Sequence, residues 1–265
     1  WMRKMVAKTF TTLLLGDVYG DPGCRAVSFR LPSIIKKYRA DFVVINGENA
    51  NNGFGITPDQ VDLLFGAGAN VITSGNHIWH DDELVDGYLD SKERLLRPAN
   101  YGNSLPGHGS VTVSIPSVGD VAVINLQGRV NMFPIEDPFK TASDLLRTVK
   151  SKFVFVDFHA ENAEEKEALG FFLDGKVSAV VGTHIHVQTM DEKILPKGTA
   201  YITDLGMCGP KDSVIGSNPE LSIQRQKTQM PMKAKVFDGM GEIHGVVVEC
   251  DVDTGKALSI ARFVE

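Results

Sequence analysis

Five short apolar runs in this chain each stop at a turn that carries oxygen or nitrogen ligands, and glycine stands in four of those turns. The runs end in Gly16-Asp17, Asn46-Gly47-Glu48-Asn49, Ser74-Gly75-Asn76-His77, Asp157-Phe158-His159 and Gly182-Thr183-His184-Ile185-His186. In an open α/β sheet, sites form in the crevice beyond the carboxyl ends of the strands, so ligands far apart in sequence are expected to meet there. Glycine matters physically, because the backbone must turn sharply to aim a ligand without a Cβ clash.

The expected strands cover 11–16, 42–46, 70–74, 153–157 and 179–182. Helix-like segments alternate with them over 22–38, 58–67, 81–89, 139–150 and 161–174, two opened by Pro22 and Pro58. Such alternation points to an α/β protein with parallel pairing. Two further runs, 110–115 and 121–125, flank a Pro-Ser-Val-Gly-Asp turn and read as an antiparallel hairpin. More β is expected over 200–203, 233–237, 245–250 and 258–263. Two sheets packed face to face with helices outside account for this order. No repeat or Pro/Gly/Ser linker interrupts residues 1–265, so one domain is expected.

Composition narrows the partners. Asp and Glu total 33 against 27 Lys and Arg, a net charge of -6 that argues against a stable duplex nucleic acid or an anionic membrane as partner. A phosphate-bearing small molecule stays open, because bound metal supplies charge that side-chain counting misses. Cys24, Cys208 and Cys250 are widely spaced and odd in number, which suits a reducing, cytoplasmic compartment rather than a disulfide framework. Leu13-Leu14-Leu15 is too short for a secretory signal, and no run approaches the ~20 apolar residues of a membrane span. Trp1 ahead of Met2 reads as a start-site artefact within residues 1–4.

A lone Asp after a strand is most often a turn or cap residue, and a lone His beside an apolar run most often a core histidine. His184 and His186 carry more weight, since positions i and i+2 of an extended segment share a face. Four of the seven histidines fall in strand-end motifs. The mixture of carboxylate, amide and imidazole suits two borderline-hard cations.

In that order, the five blocks resemble the signature of the calcineurin-like metallophosphoesterases. More narrowly, Gly-Asp-Val-Tyr-Gly-Asp-Pro-Gly, the Gly-Glu-Asn block, Val-Asp-Phe-His-Ala-Glu and Tyr-Ile-Thr-Asp-Leu-Gly-Met-Cys-Gly-Pro resemble the YmdB-like branch, from about Leu14 to the C-terminus. The resemblance implies a four-layer αββα sandwich and a dinuclear metal centre, with phosphodiesterase activity on 2',3'- or 3',5'-cyclic nucleotides. It implies one metal on Asp17, Glu48, Asn49 and His186, and another on Glu48, Asn76, His159 and His184. Glu48 bridges them, and His77 is the general acid. Fe or Mn is the expected pair, with Zn admitted.

The chain departs from the wider pattern twice. Asp17-Val18-Tyr19 lacks the usual imidazole two residues after the aspartate, and Asn49 is the proposed substitute. Ile78 follows His77 where an acidic residue often orients the imidazole, which leaves Asp81, Asp82 or a backbone carbonyl for that part.

Two divalent ions bring four positive charges against two negative ones on Asp17 and Glu48, so the centre stays cationic and attracts an anion. The expected reaction is attack of a metal-bridging hydroxide on a phosphodiester, with His77 protonating the leaving oxygen. A phosphomonoesterase or nucleotidase on the same site, and a regulatory scaffold that only retains metal, are the competing readings. Arg129, after the hairpin, reads either as a substrate-phosphate contact or as a surface ion pair. The segment 51–55 is expected to be a flexible loop beside the site. Tyr19 is placed near the first metal, Asp204 in a turn or behind a ligand, and His80 and His108 in solvated loops. His244 is expected on a sheet surface or in the core, and Cys208, with no base beside it, is not a nucleophile. A homo-oligomer is compatible with all of this.

Overall fold

The computed structural model describes residues 8–102, 104–116 and 118–265 of the chain. Residues 1–4, and Ser117 of the hairpin turn, lie outside the described residues.

The first expected run is β1 (Thr9–Leu15), which breaks at Gly16 before a two-residue β2 (Asp17–Val18). There follow α1 (Gly20–Tyr38), β3 (Phe42–Asn46), α2 (Pro58–Ala67) and β4 (Val71–Thr73). Local chemistry delimits α2: Thr57 and Gln60 form a reciprocal capping box, Pro58 occupies the first turn, and Gly68 ends the helix at φ 118°. The helix expected over 81–89 forms as a kinked run over residues 82–91. A 3-10 turn at Ile78–His80 precedes it, and the run itself passes through a wide π turn at Leu84–Tyr88 into the one-turn α3 (Leu89–Ser91). The kink has a backbone cause, since Gly87 sits at φ 91° and Asp86 at ψ 63°.

The hairpin is β5 (Ser110–Ile115) and β6 (Gly119–Gln127), then α4 (Pro138–Thr148), β7 (Phe153–His159), α5 (Ala163–Leu173) and β8 (Ala179–Thr183). The tail holds β9 (Lys193–Ile194), β10 (Ala200–Ile202), β11 (Met207–Pro210), α6 (Pro219–Thr228), β12 (Gly241–Glu242), β13 (His244–Asp251) and β14 (Ala257–Val264). The strand expected over 233–237 is absent apart from an isolated bridge between Ser217 and Val236. Alternating Lys233 and Lys235 mimic strand periodicity, but the segment serves as a strap across Gly216 and Asn218. Nothing apolar announced α6, of which only Ser222 is buried; its signals are the Asn218 cap and Pro219.

Two large sheets have the orders β14-β13-β1-β3-β4 and β5-β6-β7-β8-β10-β9, and a small one is β12-β11-β2. Period-two alternation divides the core into three layers. Leu13, Leu15, Val43 and Ile45 face α1 and α2. Their neighbours Phe10, Leu14, Phe42 and Val44 meet Val121, Val123, Phe153 and Phe155 between the sheets. On the far face, Ile124, Val154 and Val156 pack against Leu169 and Leu173 of α5. The result is the expected four-layer αββα sandwich. Among the described residues no helix is long and apolar enough to cross a membrane.

Candidate metal centre

β1 pairs parallel with β3 and β3 with β4, while β7 pairs parallel with β8, so five carboxyl ends point to one side of the sandwich. Contacts of Asn46 and Thr73 with Asp157 join the two sheets there. Asp17, Glu48, Asn49 and His159 are buried at 0–2% exposure, far below what unpaired polar groups tolerate in a core.

Seven of the eight residues implied by the resemblance lie in one connected cluster. His159 Nε2 is 2.8 Å from Glu48 Oε1 and 3.0 Å from His184 Nδ1. Glu48, His159 and His184 offer ligand atoms within 4.8 Å of one another. On the other side, Asn49 Nδ2 is 3.3 Å from Asp17 Oδ1 and 3.0 Å from His186 Nε2. Asp17 Oδ1 stands 3.9 Å from both His159 and His186, which ties the two groups together. His77 donates its backbone N–H to Glu48 Oε2 at 3.2 Å, and its ring stands 3.5 Å from Glu48 Oε1. The eighth, Asn76, shares a cavity wall with His184.

Gly75 permits this approach: a Cβ there would lie 2.2 Å from both Glu48 Oε2 and the His159 ring. His184 and His186 do not share the face of an extended strand. Both lie beyond the end of β8 at φ 107° and 64°, so a left-handed turn rather than an extended strand delivers the two imidazoles. Asp204 holds that turn, taking Ile185 N–H at 3.2 Å and Gly206 N–H at 2.9 Å, and it pairs with buried Lys166 at 2.7 Å.

A second chain of contacts fixes the ring of His159. Its Nδ1 donates to Thr183 Oγ1 at 2.9 Å, and Thr183 donates to Asp157 Oδ1 at 2.8 Å, so Nε2 is presented to Glu48. Asp157 interrupts an otherwise apolar strand two residues before His159, and that was its signal in the sequence. Lys166 gave none, because helix lysines are usually solvated.

Asp81 and Asp82 do not orient His77. Asp81 caps the following turn through Leu84 N–H at 2.8 Å, and His77 Nδ1 instead meets Asn49 Oδ1 at 2.8 Å. Phe54 of the 51–55 loop packs 4.9 Å from His77, and the Tyr19 ring edge lies 5.2 Å from His186. His80 is exposed, its ring edge-on to that of His77 at 5.1 Å and touching the His77 carbonyl at 3.1 Å, while His108 meets the Asp90 carbonyl at 3.1 Å. On β13, His244 pairs with Glu242 at 2.9 Å. Arg129 is directed to Asp137 at 3.6 Å, outside the cluster. All three cysteines are free and buried, and burial pushes the Cys208 thiol up to about 12.

The donor set fits cations. Glu48 Oε1 has no partner but the imidazoles of His159 and His77, Asn76 Oδ1 is buried without a hydrogen-bond partner, and among the described residues neither Asp17 nor Glu48 pairs with a lysine or arginine. Burial pushes the Asp17 carboxyl up to about 6, His186 and His159 offsetting it only in part. Burial also opposes ionisation of Glu48, but His159 and His77 outweigh it and hold the carboxyl low. Burial and the neighbouring His159 depress His184 to about 3, which leaves a neutral imidazole available as a ligand.

A four-layer sandwich with such a cluster at its strand ends is the architecture of a metallophosphoesterase. The chain belongs to the YmdB-like protein family, which matches residues 13–263. It is 45% identical over 254 residues to a 2',3'-cyclic-nucleotide 2'-phosphodiesterase of Bacillus subtilis (strain 168), covering 95% of this chain and 96% of that one. Two solved structures superpose closely. A hypothetical protein from Thermus thermophilus gives a TM-score of 0.90 at 37% identity, covering 97% of this chain and 99% of its own. A Mycoplasma pneumoniae protein described as a novel phosphatase gives 0.92 at 35%, covering 98% and 94%.

Proposed function

We propose that this chain is a phosphodiesterase with two metal ions that opens cyclic nucleotides, 2',3'-cyclic ones first and 3',5'-cyclic ones as the wider class. One observation carries the reading: Glu48 Oε1 has no partner but imidazoles in a largely buried cluster with Asp17, Asn49, His159, His184 and His186, Asn76 Oδ1 on the adjoining cavity wall has no hydrogen-bond partner, and a half-buried His77 stands beside them. Asp17, Glu48, Asn49 and His186 would hold one ion and Glu48, Asn76, His159 and His184 the other, Asn49 through its amide oxygen. When bound, two such ions stabilise charge on phosphoryl oxygens and acidify water near neutral pH. Fe or Mn suits a set this rich in oxygen donors, and Zn is admitted.

The chain's own groups do the rest. Asn49 holds Nδ1 of His77, which leaves Nε2 for proton transfer. Burial lowers the His77 pKa, and an arriving phosphate anion raises it, so protonation accompanies substrate binding. A water oxygen bonds to phosphorus and releases a proton to solvent, the bond to one ribose oxygen breaks, and His77 gives that oxygen its proton. The product is a ribose monophosphate ester.

The Mycoplasma pneumoniae relative described as a phosphatase favours a monoesterase as the second reading. Rates on bis(p-nitrophenyl) phosphate and p-nitrophenyl phosphate with Mn or Fe, beside a cyclic-nucleotide panel, separate the two. A dominant monoester rate overturns the first. The free, buried cysteines suit a cytoplasmic setting.

A further inference from the structure

The cluster opens on one side into a cavity of about 400 Å³ that the reaction as described leaves without a role. Asn76 and His184 line it from the cluster, and Asn131, Met132, Phe133 and Pro134 form the rest of its wall. Phe133 is 73% exposed. An aromatic ring left in water beside a site is free to stack on a ligand.

The segment that carries this ring is held at both ends. The Glu165 carboxylate accepts the backbone N–H groups of Arg129 at 2.9 Å and Val130 at 3.2 Å. At the other end, Glu136 and Asn100 exchange hydrogen bonds at 3.1 and 3.0 Å. Asn131 between them takes φ 61°. Phe133 is thus presented on a pre-organised loop, which reduces the ordering cost of binding.

A substrate whose phosphate meets the cluster puts the group attached to that phosphate into adjoining space. The wall there offers a thioether, an aromatic ring, a proline and one amide. The loop's own cation, Arg129, is engaged with Asp137. An aromatic heterocycle matches that chemistry, and a second phosphate does not. We propose that Phe133, flanked by Met132 and Pro134, is the platform on which the nucleobase of a cyclic nucleotide stacks, with Asn131 as its polar contact. The proposal rests on the phosphodiesterase reading and assigns the other end of the same substrate.

The test compares the Mn-loaded wild type, Phe133→Ala and Phe133→Tyr on 2',3'-cyclic AMP and on the base-free 2',3'-cyclic phosphate of methyl ribofuranoside. Loss of one stacking contact raises KM for the nucleotide about 5- to 50-fold in Phe133→Ala, with kcat within about twofold. The base-free substrate is unaffected, and Phe133→Tyr restores the nucleotide KM. Equal changes with both substrates, or none with either, overturn the platform. Calorimetric titration of adenosine 3'-phosphate against methyl ribofuranoside 3'-phosphate reads the same contact without turnover. If neither cyclic phosphate is hydrolysed yet an adenine preference dependent on Phe133 persists, the phosphodiesterase reading fails and the platform stands. Turnover with no adenine preference is the reverse result.

Discussion

Oδ1 of Asn49 lies 2.8 Å from Nδ1 of His77, so a side-chain amide holds the imidazole, a part the sequence left to Asp81, Asp82 or a backbone carbonyl. The two residues should part under mutation. His77→Ala is expected to lower kcat on a diester by about 10²–10⁴-fold, the usual worth of a positioned acid, with metal content intact. Asn49→Ala should lower both, because the same amide also reaches Asp17 and His186. Elemental analysis beside steady-state kinetics checks the pair. Metal loss in His77→Ala reassigns that residue as a ligand.

The strand ends were legible because buried parallel strands read as apolar runs and their turns carry glycine. Glu48 and Asn76 could be placed from the sequence on that ground. The partner of His77 could not: Asn49 reaches it across two strand ends, and no local spacing records such a contact. His184 and His186 were found for a reason the backbone does not support, since their positive φ is a property of the turn held by Asp204. The helix expected over 81–89 is kinked at Gly87, whose left-handed conformation interrupts the regular pattern around it.

Thr183 sits between Asp157 and His159, each contact within 2.9 Å. Thr183→Val keeps the shape and removes the hydroxyl. Metal affinity is expected to fall about 10–100-fold, the usual effect of losing a group behind a ligand. Stability should fall by about 1–3 kcal/mol from the buried groups left unpartnered. Metal titration with thermal unfolding measures both, and unchanged affinity contradicts the orienting role.

The Lys166–Asp204 pair is 2.7 Å long and almost wholly excluded from water. Lys166→Met strands a buried carboxylate and should cost about 3–5 kcal/mol. Adding Asp204→Asn removes that charge, so the double variant should recover part of the loss in denaturant unfolding. Additive losses argue against a coupled pair.

Asp191 supplies an acid-side signature. Burial raises its pKa, but the hydroxyls of Thr189 and Thr203 outweigh this and leave the carboxyl depressed. The resulting stability is complete above the unfolded-state value of about 3.9 and is lost as pH falls through the lower folded value. Asp191→Asn should therefore lower Tm at pH 7, with the gap closing below about pH 4. A gap that widens in acid contradicts the sign.

Anomalous diffraction from crystals grown with Mn tests the central claim most directly. Two peaks are expected about 3.5–4 Å apart, one beside Asp17, Asn49 and His186, the other beside Asn76, His159 and His184, with Glu48 between them. A single peak, or two that leave Glu48 uncoordinated, contradicts the account.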